Sequence, residues 1–215
     1  KRIIIDDDGI IWVTSIYGLN RFDPEQHTFS HYTIDGPKTI DVAGSQSLGD
    51  IALGEDGHLW MASKQGSVYR FDPVSQTFIE RIPLNSSRLS QLMIDESGIV
   101  WIGTFDEGLI KLDPGVNKFN LYAQDIKDEN TSYGKNIQAI EEDDKGNFWI
   151  AGELGALYYV DRVTHHFERI PYPDKKFSWQ HFNYVPNLLL DDQKILWITT
   201  LSSLLSYDTQ AQSYH

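Results

Sequence analysis

Five tryptophans fall at near-constant intervals along this chain. Trp12, Trp60, Trp101, Trp149 and Trp197 are 48, 41, 48 and 48 residues apart. A period of that length marks a repeat architecture, in which each unit is one supersecondary element that buries its apolar face only by stacking on the next. The surroundings of each tryptophan recur as well. Three residues before it stand Gly9, Gly57, Gly98 and Gly146, with Lys194 in the fifth copy, and five before it the residue is acidic every time: Asp7, Glu55, Glu96, Asp144 and Asp192. Six residues after it come Gly18, Gly66 and Gly155, shifted by one at Gly108 and replaced by Ser203 in the last copy. Asp23, Asp72, Asp113, Asp161 and Asp208 follow, the first three leading into proline, and an aromatic closes each unit at Phe29, Phe78, Phe119, Phe167 and Tyr214.

Each unit reads as four short strands separated by turn residues. The first is an apolar run such as Ile3-Ile4-Ile5 or Leu188-Leu189-Leu190, whose continuous apolarity predicts burial on both faces. The acidic-x-Gly step makes a hairpin, glycine supplying the positive φ and aspartate bonding its own downstream amides. The tryptophan strand follows, then a glycine turn, then a strand that Asp-Pro ends because proline cannot donate to a ladder. Four antiparallel strands per unit predict an all-β fold, a β-propeller segment of five four-stranded blades. A β-solenoid coil would be shorter and would not contain hairpins. The blades fall at about 1–32, 48–82, 90–123, 136–170 and 187–215 of a single 1–215 segment. The five repeat tryptophans are assigned to equivalent buried sites, filling with the closing aromatics the wedge between neighbouring sheets.

Composition narrows the partners. A formal charge of -13 sets long-range repulsion against nucleic acid and anionic membrane. No window approaches the roughly 18 apolar residues of a membrane span, so no direct membrane insertion by this segment is expected. The absence of cysteine removes disulfides, zinc-thiolate sites and thiol nucleophiles. The chain opens at a lysine already inside a strand pattern and reads as a piece of a longer protein.

The run Asp7-Asp8-Gly9-Ile10-Ile11-Trp12-Val13-Thr14-Ser15, with Gly18-Leu19-Asn20-Arg21-Phe22-Asp23-Pro24 after it, resembles the two-component-regulator propeller repeat. The third copy, Trp101-Ile102-Gly103-Thr104 and then Gly108-Leu109-Ile110-Lys111-Leu112-Asp113-Pro114, is nearly as close. The resemblance implies a sensor propeller of a bacterial receptor, facing the periplasm as part of an inner-membrane protein. A membrane span and a histidine kinase or diguanylate cyclase module would follow elsewhere. It further implies a larger ring of about seven blades, a small-molecule or saccharide ligand, and a homodimer formed through the receptor.

No catalytic constellation is legible. The acidic turns also resemble the Asp-box of sialidases, but that motif is itself a structural hairpin, and the carboxylate pair of a glycosidase cannot be singled out from an acidic repeat. Arg21, Arg70 and Lys111 recur at one position of the third strand, where cross-strand pairing or exposure is the expected role. Asp6-Asp7-Asp8-Gly9 and Glu141-Glu142-Asp143-Asp144 lack the spacing of a calcium loop, and His165-His166 alternate across a strand. No Gly-x-Ser-x-Gly element occurs. Neither a metal nor a cofactor is expected. Two readings from other classes stand beside the sensor: a propeller lyase or glycosidase acting on a carbohydrate, and a protein-interaction scaffold.

Loops that join an outer strand to the next inner strand are the expected ligand face. The segments 32–49, 121–136 and 169–187 are long, and long loops in compact domains are usually functional or disordered. The last crowds Tyr172, Lys175, Lys176, Phe177, Trp179, His181, Phe182 and Tyr184 together, with Trp179 the one tryptophan outside the repeat. An aromatic face ringed by polar groups grips sugars by stacking and edge hydrogen bonds. The candidate site is therefore Trp179 as platform with Lys175, Lys176, His181 and Tyr184 as polar partners. Tyr17 and Lys64 flank it from the turns between second and third strands, with Gln65, Asp106 and Glu153, while Tyr133 and Tyr122 on the preceding loop are the next candidates.

Overall fold

The computed structural model describes residues 2–34, 47–84, 88–115, 136–152, 155–164, 166–171 and 184–215, together with the backbone of 118–121. Their regular elements are twenty β-strands arranged as five antiparallel four-stranded sheets, each a meander in chain order. Blade 1 consists of β1 (Ile3–Ile5), β2 (Ile11–Ser15), β3 (Gly18–Asp23) and β4 (Thr28–Tyr32). Blade 2 has β5 (Leu48–Leu53), β6 (Leu59–Ser63), β7 (Ser67–Asp72) and β8 (Thr77–Pro83), and blade 3 has β9 (Leu89–Ile94), β10 (Val100–Thr104), β11 (Leu109–Asp113) and β12 (Lys118–Leu121). Blade 4 is β13 (Ile137–Glu142), β14 (Phe148–Gly152), β15 (Leu157–Val160) and β16 (Phe167–Ile170), and blade 5 is β17 (Asn187–Leu190), β18 (Ile195–Thr199), β19 (Leu204–Asp208) and β20 (Ser213–Tyr214). The chain divides into two compact units, Lys1–Ile102 and Gly103–His215, with the boundary inside β10.

The all-β expectation holds, and the hairpins follow from the residues that specify them. Gly98 takes φ 76°, the left-handed conformation that glycine adopts without strain, and closes its turn by donating its N–H to the Asp95 carbonyl at 2.8 Å. The fifth copy keeps the same turn without glycine: Lys194 adopts φ 66° and donates to the Asp191 carbonyl at 3.0 Å. The Asp-Pro step makes the third hairpin, where Asp23 Oδ1 accepts the amides of Glu25 and Gln26 at 3.1 and 3.0 Å. Those bonds, the one from Gln26 foremost, hold the Asp23 carboxyl below its usual range.

In the first unit the core joins Trp12 and Leu19 of blade 1 to Leu48, Ile51, Leu59, Met61, Tyr69 and Phe71 of blade 2. In the second it joins Trp149 and Leu157 of blade 4 to Leu188, Leu196, Ile198 and Tyr207 of blade 5. Each tryptophan of these pairs thus faces the following blade. Side chains also pin one blade to the next. Thr14 Oγ1 donates to the Gly49 carbonyl at 3.1 Å, and the buried Asp50 accepts the Leu92 amide at 2.7 Å. In the second unit Gln138 Oε1 accepts the Val185 amide at 2.7 Å, and Glu141 accepts that of Leu190 at 3.1 Å. Such bonds satisfy backbone groups that burial would otherwise leave unpaired.

Three sequence expectations need correction. Inner strands are buried on both faces in β5 and β13, but Ile3 and Ile5 of β1 are each 64% exposed and Leu189 of β17 is 57% exposed. The apolar run is common to all of them; burial depends on whether another sheet covers the second face. Trp12, Trp60, Trp101 and Trp149 are buried, whereas Trp197 is only partly so, for the same reason. Phe29, cast as a wedge-filling aromatic, is 76% exposed and packs at a tilt on Phe22 of its own blade, the ring centres 4.5 Å apart.

Candidate functional site

Most of the predicted loop site, Lys175, Lys176, Trp179 and His181, lies outside the described residues, as do Glu153, Tyr122 and Tyr133. Tyr184 is described: it is 40% exposed and directly precedes Val185, which is buried and held by Gln138. Tyr17 and Lys64 occupy corresponding turns of blades 1 and 2, both exposed. The Tyr17 amide donates to Ser15 Oγ at 3.2 Å, and that of Lys64 to the Ser47 carbonyl at 3.0 Å. Their side chains are thus offered to solvent from hydrogen-bonded hairpins.

The hairpins between first and second strands carry a chemical unit that sequence reasoning placed one residue too late. The acidic residue five before the tryptophan is not the one that works. The residue six before it does: Asp6, Asp95, Asp143 and Asp191. Asp95 Oδ1 accepts the amides of Ser97 and Ile99 at 2.8 and 3.1 Å, and Oδ2 accepts Trp101 Nε1 at 2.7 Å. Asp6 bonds Trp12 Nε1 at 2.7 Å and Asp191 bonds Trp197 Nε1 at 2.8 Å in the same way. The indole bond and the turn amides hold the Asp191 carboxyl below its usual range. A column of four aspartates and one glycine was legible, but the always-acidic neighbouring column masked it.

Two blades depart. In blade 2 the position is Gly54, and Trp60 is covered instead by the Arg70 guanidinium, 5.3 Å above its ring. Arg70 is held by Asp56 at 2.7 Å, and Asp56 is bonded by His58 Nδ1 at 2.9 Å. Burial pushes the Asp56 carboxyl up, but the bonds from His58 and the charge of Arg70 outweigh it and leave it lowered. The recurring basic residue is therefore a cross-strand partner here, whereas Arg21 pairs with an acid of its own strand, Asp23, at 3.2 Å. In blade 4, Asp143 keeps the turn amides of Lys145 and Asn147 but gives its second oxygen to the Tyr159 hydroxyl at 2.8 Å. Burial, and next that bond to a carboxylate, push the Tyr159 phenol up to about 12.

Beside this altered turn a cavity of about 440 Å³ opens within the second unit, between blades 4 and 5. Trp149, Tyr159, Ile170, Leu190 and Tyr207 supply its apolar lining, and Asp143, Asp144, Lys145, Glu168, Lys194, Thr209, Gln210 and Gln212 its polar groups. Trp149 packs on Tyr159 at 4.8 Å and edge-on to Tyr207 at 5.7 Å. Lys194 Nζ lies 3.1 Å from Asp144, and this bond holds the Asp144 carboxyl below its usual range. Burial raises the Tyr207 phenol, and the nearby Glu168 and Asp208 charges raise it further. Sequence reasoning missed this cavity, whose described lining includes turns between first and second and between third and fourth strands. Among the described residues no three His, Asp or Glu side chains gather as a metal set would.

No protein-family model matches the chain, and no curated protein matches it. Solved structures do. The extracellular domains of two hybrid two-component systems from B. thetaiotaomicron align with 99% of the chain, at TM-scores of 0.76 and 0.75 and identities of 18% and 20%. Virginiamycin B lyase from Staphylococcus aureus aligns with 99% of the chain at TM-score 0.76 and 11% identity, over 67% of its own length. The chain spans only 29% and 27% of the two sensor domains. At these identities the likeness establishes the β-propeller fold.

Proposed function

We propose that this chain is a ligand-sensing, non-enzymatic β-propeller segment of a bacterial signal-transduction receptor, outside the cytoplasm and part of a periplasm-facing, inner-membrane protein. The observation that carries the reading is the coincidence of two independent likenesses. The repeat around Trp12 and Trp101 resembles the two-component-regulator propeller, and the whole folded chain superposes on extracellular domains of hybrid two-component systems. The ring is larger than five blades: the apolar side chains exposed on blade 1, Ile3, Ile5 and Phe29, and on blade 5, Leu189 and Leu204, are faces that further blades of the same repeat would cover. The ligand is a small molecule or saccharide held by the loop carrying Trp179, Lys175, Lys176, His181 and Tyr184.

Two experiments test this. The full-length gene product is expected to contain a membrane span followed by a kinase or cyclase module; a secreted chain ending after the propeller, with turnover of a small substrate, would favour the lyase reading instead. Titration of the folded Trp179→Ala chain is expected to show saccharide affinity weakened by about 1 to 3 kcal/mol, the scale of stacking on one aromatic. Unchanged affinity removes the loop from the site.

A further inference from the structure

One wall of the cavity in the second unit carries a small side chain, Ile170, at a position that bears an aromatic in the first unit. In the first unit the corresponding space between blades 1 and 2 is filled by Tyr32, which packs 6.2 Å from Trp12 and 5.0 Å from Phe71. Strand register makes Ile170 the counterpart of Tyr32, since Tyr32 pairs with Leu19 and Ile170 with Leu157 on the strands beside Trp12 and Trp149. By the same register Tyr207 stands where Phe71 does, each opposite the residue before the repeat tryptophan. Blade 5 therefore presents a hydroxyl where blade 2 presents a bare ring, and blade 4 withholds the aromatic that would cover it.

We propose that this cavity is a binding site for a neutral, hydroxyl-rich small molecule of monosaccharide to disaccharide size. Its volume of about 440 Å³ lies in the range of ligand pockets. Tyr207 is only 3% exposed, and its hydroxyl makes no hydrogen bond among the described residues while it lines the cavity. A ligand oxygen in the cavity would supply that hydroxyl with a partner. The phenol stays protonated at neutral pH, so it can donate, and Glu168 on the same wall offers acceptor oxygens.

The charges decide the ligand class. Asp144 is occupied by Lys194, and Asp143 by its turn amides and Tyr159. An anion would meet Asp143, Asp144 and Glu168, and a cation would meet Lys145 and Lys194. A neutral molecule with many hydroxyls faces neither repulsion, and its apolar face can lie on Tyr159 beside Ile170.

Saturation-transfer NMR on the 215-residue chain with glucose, xylose, N-acetylglucosamine, maltose and cellobiose tests the proposal. At least one is expected to receive saturation, with affinity falling roughly three- to tenfold in Tyr207→Phe and in Glu168→Gln, the loss of one hydrogen bond each. Ile170→Tyr, which copies the filled arrangement of blade 1, is expected to abolish binding while thermal unfolding stays cooperative. Trp179→Ala is expected to leave unchanged the part of the binding that Tyr207→Phe and Glu168→Gln weaken. Absence of transfer from all five sugars overturns the proposal. So does binding that Tyr207→Phe and Glu168→Gln leave intact, whether or not Ile170→Tyr folds; loss in Trp179→Ala alone would assign the ligand to the loop.

Discussion

The blade 1–blade 2 gap and the blade 4–blade 5 gap are built on the same strand register, yet an aromatic ring enters the first where the second opens a cavity. In the first, Trp12, Tyr32, Phe71 and Phe78 form a continuous aromatic stack, with Phe71 and Phe78 5.1 Å apart. In the second, Trp149 and Tyr207 keep their positions, but Ile170 replaces the aromatic and Tyr159 turns its hydroxyl to Asp143. A repeat thus fixes where the large side chains start, and its variable positions decide whether the space between blades is core or cleft.

The largest expected difference is at the tryptophans themselves. Trp12→Ala, in the filled gap, is expected to destabilise by about 3 to 5 kcal/mol, and Trp149→Ala, beside an existing cavity, by about 2 to 3 kcal/mol, because less surrounding packing is lost. Urea unfolding monitored by circular dichroism measures both, and equal losses would break the comparison.

Exchanging the deciding residue gives a smaller effect, of different size in the two gaps. Tyr32→Ile should hollow the first gap at a cost of about 2 kcal/mol. Ile170→Tyr enters space already open and should stay within about 1 kcal/mol of the parent chain. Thermal melts of the two variants compare them, and a large loss on filling would show that the cavity lacks the shape its register implies.

The smallest effect concerns the bonds between inner strands. Asp50 is buried, and burial raises its pKa above the ordinary carboxylate value, only partly offset by Arg2 and by the Leu92 amide. Its contribution to stability is therefore complete below the ordinary value of 3.8 and is lost as pH rises through the raised folded value. Asp50→Asn keeps an acceptor for the Leu92 amide and removes that titration. The variant should gain on the parent as pH climbs from acid toward neutral in thermal melts, and a difference independent of pH would refute the assignment. Asp191 has the reverse sign: its lowered pKa makes its contribution hold at neutral pH and fade as pH falls through the folded value.

The parts of the fold legible in sequence were those set by local chemistry. Gly98 needed a left-handed backbone, Asp23 bonded the amides just beyond it, and Pro24 could not extend a ladder, so hairpins and strand count followed from neighbours in the chain. The tryptophan period carried the stacking of blades. The acceptor for the indole is local too, yet it stayed hidden. Glu96 and its counterparts are acidic in every copy and drew the reading to their column, whereas the bond to Trp101 is made by Asp95, one residue earlier. Only geometry separates two adjacent acids. The candidate loop around Trp179 was legible as composition alone, and the cavity beside Tyr207 was not legible at all, since its walls come from two different repeats.

What the sequence by itself determined, then, is the blade: its four strands, its turns and the place of its tryptophan, all of which depend on residues within one repeat. The tertiary structure alone decided what lies between blades. Ile3 and Leu189 read as core and are exposed, Tyr207 lines a cavity, and Asp50 is buried against Leu92. Burial and cavity volume belong to pairs of surfaces about 40 to 50 residues apart in the chain, and no single repeat specifies how its face meets the next.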